Sequence, residues 1–409
     1  VTDLTTEQNN ALAAIQRWIK DPDQQVFRLF GYAGTGKSTI AKEFDRMVGG
    51  LTLYAAFTGK AALVLQRKGC PATTIHKLIY VPAPKSTKVL EELMDELVML
   101  QAQDKANRDV KKFDLRLKEE IDSLEEEISQ ENARANQPSF APNPESDLKE
   151  ADLLVIDEVS MVGKPMAKDL LAFGVKILVL GDPAQLPPVA DTGFFTQAEP
   201  DFLLTEVHRQ AADSPVLALA TTVRQGDDLP RGQHGTSRVL SRGVLELDEV
   251  ARGFDQILVG TNRARRDTNR LIRQELGFTS ELPEEGDKLI CLRNDYDVGL
   301  LNGSQWTVLD SHTVNDDVIR LTVESDDGGS MSVSCWRHYF EGRDKDLKPW
   351  DVRCFQAFDF GYAITVHKAQ GSSWPNVLVI DESHIFRGNA RKHLYTAITR
   401  ASESVTVVR

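Results

Sequence analysis

One segment constrains the fold of this chain more than any other: "VFRLFGYAGTGKSTIAKEFDRMV", residues 26–48. An apolar run suited to a buried strand ends in G-x-x-x-x-G-K-S (31–38), and a helically spaced run follows at once. Strand, glycine loop and helix in this order bring backbone N–H groups around a phosphate at a helix N-terminus. Gly34 and Gly36 allow the loop to turn, and Thr35 and Thr39 lie in the same wrap. Lys37 is placed to reach the β- and γ-phosphates of a nucleotide, and Ser38 offers its hydroxyl to Mg²⁺. Such a unit cannot stand alone. It commits the chain to an α/β fold with a parallel sheet.

The rest of the sequence continues that commitment. "LTLYAAF" (51–57), "DLLVIDE" (152–158) and "KILVLGD" (176–182) are further apolar strands, and helical spacing fills the intervals at 59–68 and 165–173. The alternation returns in the second half with "QILVGTN" (256–262), a helix over 264–276, "VLVIDES" (377–383) and a helix over 388–398. Two stretches break it. Residues 86–135 lack Gly and Pro and carry apolar residues at spacings of three and four, which predicts two antiparallel helices turning near "QDKANRD" (103–109). Residues 286–355 hold "KLICLRN", "SQWTVLDSH", "VIRLTVES" and "SMSVSCW", divided by "NG" and "DDGG", the pattern of a small all-β module.

The chemistry concentrates at strand ends. Asp157 closes an apolar strand where it can hold Mg²⁺ together with Ser38, and Glu158 is a candidate base for an attacking water. Gln185, in "LGDPAQLPPV", places a neutral amide beyond the next strand, able to bond the γ-phosphate or its water. Arg209 in "VHRQ" and Arg400 in "YTAITRA" are candidate guanidinium groups for charge developing on that phosphate. These residues imply ATP hydrolysis and leave open what the energy drives.

Composition narrows the classes. The net charge of −13 looks wrong for a polyanion partner, yet residues 85–150 hold ten Lys/Arg against seventeen Asp/Glu and so carry over half of it. A nucleic-acid channel needs only a local basic surface. Four dispersed cysteines without a CxxC pair indicate neither zinc nor disulfides and suit a reducing, cytoplasmic setting. No run of 18 apolar residues predicts a membrane span.

"GYAGTGKS", "TGKAA" (58–62), "TIHKL" (74–78), "VIDEVSM", "GDPAQLPPV", "VHRQ", "TVHKAQGSSW" and "YTAITRA" follow one another in the order used by superfamily 1 DNA helicases. The set most resembles the 5′→3′ group that includes the RecD subunit and the phage Dda helicase, which places the chain in a bacterial or phage-infected cell. The resemblance implies two RecA-like motor domains with ATP between them. Domain 1 would span 1–80 and 137–212, with a helical insertion at 81–136. Domain 2 would span 213–285 and 356–409, with an SH3-like insertion at 286–355. It implies that Gln8 reads the adenine edge, that Gly371 nears the nucleotide, and that Arg209 and Arg400 both address the γ-phosphate. It also implies a single-stranded DNA path over Phe57, Thr58, Lys60, His76, Thr261, Asn262, Thr365, His367 and Lys368, ending at single-strand/duplex junctions. A monomer would suffice for these parts. The acidic insertion is a poor DNA surface, because phosphates repel it; a partner-binding or steering arm is the expectation. A translocase that strips proteins from DNA is the nearest alternative. A coiled-coil structural ATPase fits neither "TVHKAQG" nor the β module.

Overall fold

The computed structural model describes residues 4–82, 88–109, 115–136, 140–187, 193–207, 213–295, 298–326, 328–347 and 351–409. The chain divides into two compact units, one of residues 1–79, 145–344 and 355–409, the other of 80–144 and 345–354.

The larger unit contains two six-stranded sheets and one five-stranded sheet. In the first sheet, the strands Ala72–Thr74, Thr52–Ala56, Leu153–Asp157, Lys176–Gly181, Val26–Gly31 and Phe202–Leu204 lie side by side in that order, all parallel. Because the strands are parallel and covered on both faces, they read as continuous apolar runs. Leu153, Leu154, Val155 and Ile156 are all buried in one strand, and Ile177 to Leu180 in its neighbour. Ile40 and Phe44 of the helix Lys37–Val48 and Ala11 and Ile15 of the helix Thr6–Trp18 pack into the same core. The first of these helices starts directly after the strand Val26–Gly31, so the phosphate loop sits at the carboxyl edge of a central strand. Ligands of open α/β sheets bind at that edge.

The second sheet runs Ala363–Thr365, Gln256–Val259, Trp374–Ile380, Ala401–Val408, Ser237–Leu240 and Gly232–His234. Only the last pair is antiparallel. Its core includes Val379, Val405 and Val407 with Leu394 and Ile398 of the helix Ala390–Ile398. That helix begins two residues later than its periodicity predicts, since the preceding turn, Ser383–Asn389, is 3₁₀ and breaks at Arg387, whose φ is 47°. Leu186, from the loop after the first sheet's strand Lys176–Gly181, is 1% exposed within this second core. The two sheets therefore share packing near the phosphate loop.

The five-stranded sheet is antiparallel, in the order Ser330–Trp336, Val318–Ser325, Gln305–Thr313, Lys288–Cys291 and Phe358–Phe360. Four of these strands fall within residues 286–355, the segment read from the sequence as an all-β module. The fifth, "FDF", lies past residue 355 and directly before the strand Ala363–Thr365, so its short pattern merges with the return to the α/β sheet.

In the smaller unit, Tyr80–Pro82 pairs antiparallel with Phe140–Pro142, and two helices, Lys88–Asp109 and Leu115–Asn136, lie together. Gln101 donates to Glu125 across them at 3.2 Å, and Leu117, Ile121, Leu124 and Ile128 are buried along the second helix. The turn expected near 103–109 lies beyond it, since the first helix runs through Asp109 and the second starts at Leu115. Residues 103–109 hold no Gly or Pro to stop a helix, and Ala, Lys and Arg favour continuing it.

Candidate active site

A cleft of about 910 Å³ opens beside the phosphate loop. It is lined by Gly34, Gly36, Lys37, Ser38 and Thr39 from that loop and its helix, by Gln8, Asp157, Glu158 and Gln185 from the same half, and by Gly371, Ser372 and Arg400 from the half built on the second sheet. Thr35 is buried within the loop, its hydroxyl donating to Tyr32 O at 2.9 Å. Gly36 has φ of 82°, and a Cβ there would meet the Gln8 side-chain amide at 2.5 Å, so both backbone and space favour glycine.

Lys37 is held by its own loop, with Nζ donating to Gly31 O at 2.7 Å and Tyr32 O at 3.0 Å. Ser38 Oγ donates to Asp157 Oδ2 at 3.2 Å, bringing a hydroxyl and a carboxylate together. This hard oxygen pair fits Mg²⁺, which prefers one or two protein oxygens plus substrate phosphates and water. Asp157 Oδ1 accepts from the Glu158 backbone at 2.8 Å. Glu158 itself adopts φ 53°, ψ 46°, a left-handed conformation uncommon for a glutamate and typical of strained functional positions. Its side chain retains 28% exposure at the floor of the cleft. Burial pushes its carboxyl above the usual carboxylate range; Arg400 and Lys37 oppose that shift, and Asp157 and Asp182 add to it. A carboxyl tuned upward is suited to take a proton near neutral pH.

Arg400 is 5% exposed and ends 4.0 Å from Glu158 Oε1. Its Nε donates to Thr396 O at 3.1 Å and one terminal nitrogen to Ser372 O at 3.2 Å, which fix the guanidinium at the cleft wall. Gln185 is 8% exposed, and its side-chain oxygen has no hydrogen-bond partner among the described residues. A buried acceptor left unpaired is costly, and here it faces the cleft that Gln185 lines. Gln8 lies at the cleft's other end. Its amide completes a capping box with Thr5 and donates to Thr35 O at 3.1 Å, leaving one N–H and one lone pair uncommitted. Arg209 falls within residues 208–212, outside the described residues.

Sequence reasoning missed the hydroxyls that tie the halves together. Tyr395 donates to Asp182 Oδ2 at 2.7 Å and accepts from Ala33 N at 3.0 Å, while Thr396 Oγ1 accepts from Leu186 N at 2.9 Å. The signal was a tyrosine and a threonine inside the otherwise apolar "LYTAIT", positions where burial demands a polar partner.

The remaining candidates fall into clusters. Phe57 and His76 meet edge to face at 5.9 Å, and burial lowers the His76 pKa. Thr58 caps the helix Gly59–Arg67 and faces Gly371. The Lys60 ammonium lies 4.6 Å from the centre of the Trp374 ring. Thr261 caps the helix Asn262–Leu276, and the backbone N–H groups of Gly260 and Thr261 donate to Glu382 at 2.8 and 3.0 Å; Asn262 is exposed. Thr365 accepts from the Lys368 backbone at 3.3 Å. His367 packs against Phe386 and His393, and burial lowers its pKa. Lys368 Nζ contacts Asn302 Oδ1 and Leu292 O, and burial lowers its pKa to about 8. Its ammonium is thus turned toward the five-stranded sheet.

Comparison with known proteins bears on this geometry. A family model described as an AAA domain matches residues 3–247, and one described as the UvrD-like helicase C-terminal domain matches residues 360–408. The ATP-dependent RecD2 DNA helicase of Deinococcus radiodurans is 32% identical over 280 residues, which cover 62% of this chain and 35% of that protein. The ATP-dependent DNA helicase Pif1 of Campylobacter jejuni is 22% identical over 315 residues, covering 64% and 69%. The chain thus matches about a third of the RecD2 relative's length and over two thirds of the Pif1 relative's. Among solved structures, Bacteroides Pif1 bound to ssDNA superimposes with a TM-score of 0.51 at 18% identity, covering 99% of this chain and 92% of that one, a likeness of fold. The chain belongs to the family described as an AAA domain, whose model matches residues 3–247, and it is similar in sequence to ATP-dependent DNA helicases named RecD2 and Pif1.

Proposed function

We propose that the chain hydrolyses ATP to move along single-stranded DNA from 5′ to 3′ and to open duplex at a single-strand/duplex junction, in replication, recombination or repair. One observation carries the reading: a single cleft gathers Lys37, Ser38, Asp157, Glu158 and Gln185 from one sheet and Arg400 from another. Phosphoryl transfer is mostly positioning and charge stabilisation, and a guanidinium supplied from across a cleft ties hydrolysis to closure.

In this mechanism Lys37 exchanges its two loop carbonyls for the β- and γ-phosphates. Ser38 and Asp157 would hold Mg²⁺, which would supply neutralisation of phosphate charge. Glu158 takes the proton of the attacking water, and Gln185 presents its free acceptor to that water. Arg400 stabilises charge developing on the γ-phosphate, with Arg209 in a similar role. Gln8 reads the adenine edge with its remaining N–H and lone pair. The segments bearing Phe57, Thr58, Lys60 and His76 in one half, and Thr261, Asn262, Thr365, His367 and Lys368 in the other, form the strand path. We read residues 1–80 with 137–212 and 213–285 with 356–409 as the two motor domains, 286–355 as an SH3-like insertion, and 81–136 as an arm for a protein partner. A monomer contains every part of this cycle.

The test is unwinding of duplexes that carry only a 5′ or only a 3′ single-stranded tail. The reading expects ATP-dependent opening from the 5′ tail and ATPase stimulated by single strands. Faster opening from the 3′ tail overturns the direction, and ATPase indifferent to DNA overturns the class of function.

A further inference from the structure

We infer that Tyr395 is a positioning residue for ATP hydrolysis, acting as a tie by which the second half of the chain sets the phosphate loop and the Asp182–Leu186 loop. The inference rests on the ATPase reading above and concerns a residue outside the cleft lining.

Tyr395 is 2% exposed, and its hydroxyl makes both bonds open to it. It accepts from Ala33 N, in the third position of the phosphate loop, and donates to Asp182 Oδ2. Burial and the neighbouring Asp182 carboxylate hold its pKa far above the ordinary tyrosine value, so the proton stays on the hydroxyl and the donor role is fixed. Asp182 in turn caps its own loop by accepting from Ala184 N at 2.9 Å. Four residues on from Asp182, Leu186 is held by both its backbone groups, with its N–H donating to Thr396 Oγ1 and its carbonyl accepting from Gln370 Nε2 at 2.9 Å. Gln185, the residue with the unpaired acceptor, stands between these two anchors.

The phosphate loop is gripped on its neighbouring residue as well. The Arg224 guanidinium stacks 3.7 Å from the centre of the Tyr32 ring, beside the Ala33 bond. Arg400 follows Tyr395 by five residues and is bonded to Thr396 O. One helix end thus delivers a bond to the phosphate loop, a bond to the Gln185 loop, and the guanidinium. The three arrive together or not at all. Docking of the second half therefore does more than bring Arg400; it also sets the two loops against which Arg400 must act. Orientation of this kind shows in turnover when the bonds matter most in the reacting geometry.

The experiment compares wild type, Tyr395→Phe, Thr396→Val and Thr396→Ser as full chains, measuring DNA-stimulated ATPase and binding of a fluorescent ADP analogue. Tyr395→Phe removes only the oxygen. The inference expects kcat to fall at least tenfold with KM for ATP and analogue affinity within about threefold of wild type. Thr396→Val should give a smaller fall in kcat, and Thr396→Ser, which keeps the hydroxyl, should recover it. Unchanged kcat in Tyr395→Phe overturns the inference, as does a loss confined to KM. A melting profile on each variant separates misfolding from this effect: if Tyr395→Phe melts below assay temperature, the Thr396 pair decides, and equal kcat in Val and Ser variants counts against the tie. A wild-type chain without ATPase would instead overturn the underlying functional reading.

Discussion

Replacing Gly371 with alanine perturbs the junction of the two halves at one methyl group. Gly371 has φ of 74°, and a Cβ there would lie 3.1 Å from Thr58 Oγ1 and 3.2 Å from Ala61 Cβ. Two costs follow, and they act differently. The left-handed backbone costs an L-residue about 1–2 kcal/mol wherever the halves are, so it weakens the folded chain alone. The methyl contact exists only when Gly371 faces the helix Gly59–Arg67. Thr58 cannot turn aside freely, because its hydroxyl accepts from Ala61 N at 3.2 Å as that helix's cap, a role worth about 1 kcal/mol. Overpacking of this size costs about 1–3 kcal/mol, and about 1.4 kcal/mol already means a tenfold shift in an equilibrium. Gly371→Ala should therefore lower kcat/KM for ATP about tenfold beyond any effect of reduced stability. Steady-state ATPase with saturating single-stranded DNA measures it. Ala61→Gly placed in the same chain removes one of the two contacts and should recover part of the loss. A Gly371→Ala variant with wild-type kcat/KM, or a double variant worse than the sum of its singles, would refute the argument that this approach is made in the active arrangement.

Arg400→Gln should reduce kcat by about 10³-fold or more, the usual range for a guanidinium acting on a transferring phosphate. It should also shift the pH profile: catalysis needs the Glu158 carboxylate, Arg400 holds that pKa down against burial, and its removal moves the acid limb of kcat to higher pH. Lys368 loses its charge as pH rises through about 8; if it meets phosphate, the salt dependence of DNA binding weakens between pH 7 and 9, and Lys368→Ala abolishes that change without altering ATPase measured without DNA. Arg273 is bidentate to Asp287, which is 0% exposed. Arg273→Met strands that carboxylate and should cost about 3–5 kcal/mol in urea unfolding, whereas a smaller loss would mean that water reaches Asp287. Deleting residues 88–135, which belong to the smaller unit, should leave DNA-stimulated ATPase within about twofold of wild type.

The residues that line the cleft were legible because their placement is local. A glycine loop between strand and helix, or an acid at a strand's end, fixes its own geometry through backbone rules, and parallel packing brings Lys37, Ser38 and Asp157 to one edge. The cross-cleft hydroxyls were not legible. Nothing in "LYTAIT" says that Tyr395 meets Ala33, 362 residues away, because that contact depends on how two sheets dock. The end of the five-stranded sheet was missed for a related reason: three residues are too few to show a period.

The residues proposed to face the strand differ again, and the difference bears on the proposed mechanism. Sequence order places Lys60, Thr261, His367 and Lys368 at motif positions, yet each side chain or its backbone is already engaged. Lys60 stands over Trp374, Thr261 caps a helix and shares Glu382, His367 packs on Phe386, and Lys368 contacts Asn302. Internal partners of this kind set a threshold, because a phosphate must offer more than the contact it replaces. Lys60 and Gly371 both meet groups of the opposite half, so a strand that draws Lys60 away from Trp374 also loosens the junction next to the nucleotide cleft. On the proposed reading, binding of DNA and closure around ATP then compete for the same side chain. A motor of the proposed kind needs such competition, since a track that only tightened the cleft would hold the chain in one state.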